Sequence, residues 1–134
     1  MHRAWIAAAF ILFAYTSQVQ SAEPLPPEFH GTWVPAGSAC PSPLAISVST
    51  QSIQFRNAKS ERSFQVEACF SCEGGARYNG IVVWATPTEP QAELAFTAYF
   101  NAGERKGGAV VEVLAPGLQS QFPLNKVELR RCSR

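Results

Sequence analysis

The chain contains no aspartate, and His30 is its only histidine after His2. Without aspartate neither a Ser-His-Asp triad nor an EF-hand loop can be built, and one histidine cannot make a multi-histidine metal site. A Ser-His-Glu arrangement is formally open, but no serine lies in the glycine pattern of a nucleophile elbow. His30 falls on the strand face opposite Phe29 and Trp33 and reads as a rim imidazole. Glu89 and Glu93 bracket a turn and read as solvated carboxylates, not as an acid-base pair. No catalytic residue is therefore assigned, and the chain is not expected to be an enzyme.

An excess of charge is also missing. The 134 residues carry 11 basic and 10 acidic side chains. Arg3 belongs to an N-terminal leader, so the remainder is neutral, which argues against nucleic acid, where a basic surface supplies most of the affinity. Arg130, Arg131 and Arg134 cluster near the C-terminus and read as a solvated tail.

No apolar run has membrane length. Met1-His2-Arg3 is a positive n-region and Ala4 to Tyr15 an apolar h-region, too short for the roughly 20 residues of a membrane helix. Cleavage after Ser21 or Ala22 is expected, and no cysteine follows the h-region until Cys40, which does not support a lipid anchor. The expected organisation is a signal peptide over 1–22, a proline-rich arm over 23–28 and a single β domain over 29–134. The expected location is periplasmic or secreted, with no stable membrane insertion after cleavage.

Cysteine is scarce but even in number: Cys40, Cys69, Cys72 and Cys132. In an oxidising compartment disulfides are the default, and four cysteines allow three pairings. A closed meander makes the first and last strands neighbours and so favours Cys40 with Cys132 and Cys69 with Cys72. Chain entropy then gives about 4.5 kcal/mol for the long bridge and about 2 kcal/mol for the short one. A four-cysteine zinc site as a rule needs two close pairs, so no metal is expected. Cys69-Phe70-Ser71-Cys72 has thioredoxin-like spacing, but Glu73-Gly74-Gly75 follows it as a turn, and the helix that would lower a thiol pKa is lacking. No cofactor is expected.

What the chain does have is alternation. Glu23-Pro24-Leu25-Pro26-Pro27-Glu28 cannot be helical and should run extended. Beyond it, period-two sets recur: Phe29, Gly31, Trp33; Leu44, Ile46, Val48; Ile53, Phe55; Phe64, Val66, Ala68, Phe70. They continue with Ile81, Val83, Ala85; Leu94, Phe96, Ala98, Phe100; Val111, Val113; and Val127, Leu129. Each set reads as one face of a strand. Turn chemistry separates them at Asn57 to Glu61, Glu73 to Gly75, Pro87 to Pro90, Asn101 to Gly108 and Ala115-Pro116-Gly117. Helical periodicity is weak except over Gln91 to Tyr99. The expected fold is all-β, an antiparallel meander of about eight strands, with a closed barrel favoured over a sandwich. Trp33 and Trp84 should be largely buried.

The segment Gly74-Gly75-Ala76-Arg77-Tyr78-Asn79-Gly80-Ile81-Val82-Val83-Trp84 resembles the loop and strand that carry the signature of bacterial periplasmic inhibitors of C-type lysozyme. That signature is Ser-Gly-x-x-Tyr; Gly75 and Tyr78 match it, and Gly74 stands at the serine. Val127 to Cys132 is similar to the last strand of that family, and Cys40 with Leu44, Ile46 and Val48 to the first. The lysine that the family places after the tryptophan is absent from Ala85-Thr86-Pro87. The resemblance implies a barrel that inhibits a hydrolase through a loop, and its departures imply a hydrolase other than lysozyme. Gly31-Thr32-Trp33, with arginines on the last strand, also resembles the calycin barrels, which include lipocalins, avidins and inhibitors of serralysin-type proteases. The proline-rich arm then implies a protruding N-terminus.

The expected function is thus that of a secreted or periplasmic binding protein, with a hydrolase or another protein as partner. Gly74, Gly75, Arg77 and Tyr78 are the candidate contact residues, since a glycine turn holds its neighbours out from a sheet and arginine and tyrosine concentrate interface energy. Two alternatives are a carrier of a small apolar ligand and a structural envelope protein. The carrier needs a cavity of roughly a few hundred Å³, which bulky inward residues such as Phe64, Phe70, Phe96 and Phe100 should fill.

Overall fold

The structure is a computed structural model and describes residues 22–70, 72, 82–89, 92 and 95–133. Its strands are β1 (Gly31–Pro35), β2 (Ala45–Val48), β3 (Ser52–Arg56), β4 (Glu61–Cys69), β5 (Val83–Pro87), β6 (Phe96–Phe100), β7 (Gly108–Val113) and β8 (Glu128–Arg131). Each pairs antiparallel with the next, and β8 closes on β1 through Trp33 opposite Arg131 and Pro35 opposite Leu129. The result is a closed eight-stranded barrel, in which every strand edge is paired.

Alternation is the cause. In the register Ile46 faces Phe55, Ile53 faces Phe64, Val83 faces Phe100, and Phe96 faces Val113, so the apolar sets of adjacent strands share the inner face. Ala68, Ala85, Ala98 and Val111 form one in-register row across β4 to β7. These small side chains leave room that neighbouring phenylalanines occupy, the alternation of size that fills a small barrel. Phe55 packs edge-on to Phe64 and Phe96, with ring centroids 5.7 and 4.8 Å away.

The two ends are closed differently. The β1–β2, β3–β4, β5–β6 and β7–β8 connections lie at one end, and a short helix α1 (Pro116–Gln121) seals it. Leu118, Phe122 and Leu124 are fully buried there, and Phe122 lies 5.8 Å from Phe55 between ring centroids. From sequence, Ala115-Pro116-Gly117 reads only as a turn. Pro116 instead starts a helix, because its missing N–H costs nothing at the first helical position. At the other end the chain before β1 folds back as a 3-10 turn, Pro27–Phe29.

This corrects the expectation of a non-helical, protruding arm. Leu25 and Phe29 are 1% and 2% exposed, the Leu25 N–H donates to Thr50 O, and the Ala68 N–H donates to Glu23 O. Burying two apolar side chains outweighs the cost of ordering a segment that its prolines already stiffen.

Two further expectations are corrected. Phe70 follows the end of β4 and is 42% exposed, so it does not fill the interior. Trp84 points to the outer face of β5 and is only half-buried, edge-on to Tyr99, whereas Trp33 is 1% exposed. Cys40 is bonded to Cys132 and Cys69 to Cys72. The first bridge ties the β1–β2 connection to the end of β8 and spans 92 positions of sequence.

Candidate functional site

The arm-closed end gathers most of the distinctive chemistry. Trp33 stands at its floor, with Phe100 edge-on at 5.5 Å and Phe29 stacked on Phe100 at 4.9 Å between ring centroids. The indole Nε1–H, which could not be left unpaired in such a place, donates to Phe29 O at 2.9 Å. One bond therefore fixes both the rotamer of Trp33 and the position of the 3-10 turn.

Arg131 lies opposite Trp33 in register and reaches over the rim. Its Nη1 donates to Glu28 O at 2.5 Å and to His30 O at 3.4 Å. The aliphatic stem passes beside Gly31, whose φ of 126° only glycine adopts readily. Arg130, on the outer face, donates to Ser38 O and so lies over the β1–β2 connection. Both arginines are thus built into the fold, which corrects their reading as a solvated tail, while Arg134 lies outside the described residues. Arg131 is two residues beyond the inward Leu129, and that spacing was the available signal. His30 is half-buried with its Nε2 2.9 Å from Leu25 O, so the imidazole helps to hold the arm. Glu89 Oε1 accepts from the Gln65 N–H at 3.3 Å, and Glu93 lies outside the described residues.

The β6–β7 connection borders the same end. Asn101 adopts a left-handed conformation with φ of 56°, accepts the Gly107 N–H at Oδ1 (2.9 Å) and donates its own N–H to Gly108 O (2.8 Å). These bonds turn the segment back on itself and hold Lys106 out at the rim. Between this connection and the 3-10 turn is a cleft of about 450 Å³, bordered by Glu28, Phe29, Trp33, Lys106, Arg130 and Arg131.

The β4–β5 connection also starts and finishes at this end, since Cys69 pairs with Trp84 and Val83 with Phe100. The Cys69–Cys72 disulfide stands at its root, and the exposed Phe70 lies between the two cysteines in sequence. On the outer face Cys69, Trp84, Tyr99 and Val110 form one in-register row, and the Tyr99 hydroxyl donates to Glu112 Oε2 at 3.1 Å. The candidate contact residues Gly74, Gly75, Arg77 and Tyr78 all lie outside the described residues. Among the described residues no group of three or more His, Cys, Asp or Glu side chains could hold a metal ion.

The fold and this end define a small disulfide-bonded β-barrel with a filled interior and a cationic rim. Compared with family models, curated proteins and solved structures, the chain finds no match.

Proposed function

We propose that the chain is a secreted or periplasmic binding protein that engages a protein partner, most concretely a hydrolase, through the end of the barrel where the β4–β5 connection emerges. The observation that carries this reading is the filled interior. Phe55, Phe96, Phe100 and Trp33 are all no more than 1% exposed inside the barrel. A carrier needs that volume for its ligand, so a packed interior favours work done on the outside.

The bridge Cys69–Cys72 supports the choice of end, because a fastened root lowers the entropy lost when a loop docks. Arg77 and Tyr78 are the proposed anchors, on the strength of residue type and of the resemblance of this segment to the inhibitory loop of the periplasmic lysozyme inhibitors. Gly74 in place of the serine of that loop favours a hydrolase other than C-type lysozyme.

The test is to assay a panel of secreted lysozymes, metalloproteases and serine proteases against the mature protein. At least one should be inhibited, and Arg77→Ala or Tyr78→Ala should weaken inhibition about 30-fold, the effect of truncating an anchor worth about 2 kcal/mol. Inhibition that both variants retain within twofold, or a panel left wholly active, would contradict the proposal.

A further inference from the structure

We propose that the cleft between the 3-10 turn and the β6–β7 connection is an anion site, taking the carboxylate or phosphate group of a small organic ligand. The reasoning begins with charge. Among the described residues Lys106, Arg130 and Arg131 border the cleft against one carboxylate, that of Glu28. Among the described residues none of these cations has a carboxylate partner: Arg131 is held by the Glu28 and His30 carbonyls, Arg130 by the Ser38 carbonyl, and Lys106 makes no ion pair. The neighbouring Arg105, by contrast, is paired with Glu128.

Carbonyl oxygens orient a guanidinium without neutralising it, so the positive charge of the cleft is not cancelled from within. Its floor then matters. Phe29 and Trp33 form a buried apolar wall, and a concave site with one sign of charge over low-dielectric walls focuses its field on the space it encloses. The rigidity is also in place: Arg131 has two backbone anchors and is set beside Gly31, while Asn101 fixes the turn that carries Lys106. The volume of about 450 Å³ is that of a small-molecule site, not of a single ion. An anionic head group would meet Arg131 and Lys106 at the rim, with the rest of the ligand lying along the β6–β7 connection. This inference does not rest on a protein partner or on the β4–β5 connection.

The experiment is an amide chemical-shift titration of the mature protein at constant ionic strength, with glycerol phosphate in one arm and succinate in the other. We expect saturable shifts in at least one arm, centred on residues 28–31, 101–108 and 130–132; the tighter arm identifies the head group. Lys106→Gln should weaken that binding about threefold, the effect of removing one exposed charge. Lys59→Gln, at the opposite end of the barrel, should leave it unchanged. Shifts that grow linearly without saturating, or binding that is equally insensitive to both substitutions, would overturn the proposal.

Discussion

The two ends of the barrel solve the same problem with different chemistry. At the α1 end, Leu118, Phe122 and Leu124 plug the opening, and the bonds around the plug are neutral: Asn57 Nδ2 donates to Gln121 O at 2.7 Å, and the Val113 N–H donates to Asn125 Oδ1 at 2.9 Å. At the arm end, Leu25 and Phe29 close the floor equally well, but Arg131, Arg130 and Lys106 stand above it, and a disulfide fastens the root of the β4–β5 connection. Closure alone needs none of those charges, since among the described residues the α1 end makes no ion pair to the plug. The difference teaches that closing a barrel end needs only apolar and neutral contacts, so the cations at the arm end are additional to closure, and the proposed binding rests on that surplus.

The largest expected effect lies outside both plugs. Replacing Cys40 and Cys132 together by serine should lower unfolding free energy by about 4.5 kcal/mol, because the bridge closes so long a loop. Replacing Cys69 and Cys72 in the same way should cost about 2 kcal/mol. Urea denaturation of the two double variants checks the ratio, and equal losses would mean that loop length does not govern the bridges.

Next in size is the plug. Phe122→Ala should cost about 3–5 kcal/mol, since the ring is fully buried against Phe55 and its removal leaves a cavity. Thermal unfolding should show a markedly lower midpoint, and a change of under about 1 kcal/mol would deny α1 its role as a seal. At the arm end, Arg131→Met keeps much of the stem over Gly31 but removes the bonds to Glu28 O and His30 O. A loss of about 1–3 kcal/mol is expected for hydrogen bonds made by a charged donor. The smallest effect belongs to Phe70→Ala, within about 0.5 kcal/mol, because that ring is already 42% exposed. A large loss there would place Phe70 in a packed interface and blur the contrast between the ends.

How much of this was legible depended on whether a feature repeats. Strand faces repeat every second residue, so eight strands, the closed barrel and the burial of Trp33 followed from the positions of Ile46, Phe55, Val83, Phe100 and their neighbours. Where a ladder stops is not periodic: Phe70 continues the alternation of Phe64, Val66 and Ala68 yet lies one residue past the end of β4. The degree of burial of Trp84 depends on a neighbour on the next strand, Tyr99, and its side of the sheet was legible where its half-burial was not. The α1 plug was hidden because Pro116-Gly117 reads as a turn; Leu118 and Phe122, four residues apart after a proline, were its only signal. The arm was hidden for a similar reason, since proline excludes an α-helix but starts a 3-10 turn, and Leu25 with Phe29 marked the side that docks. The cationic rim comes from β8 and the β6–β7 connection, which the β7–β8 ladder brings together with Gly108 opposite Arg130, and the closure of β8 on β1 sets Trp33 beneath it.

The central claim is that the barrel interior is full and that binding belongs to the arm end. The most direct measurement is a methyl chemical-shift titration of the mature protein with a long-chain fatty acid below its micelle concentration, watching Ile46, Ile53, Val83 and Val111 inside the barrel. The account predicts no saturable shift at these four residues. Saturable one-to-one shifts at all of them would mean that the aromatic core opens to admit an apolar ligand, and would replace the proposed surface binding with a carrier function.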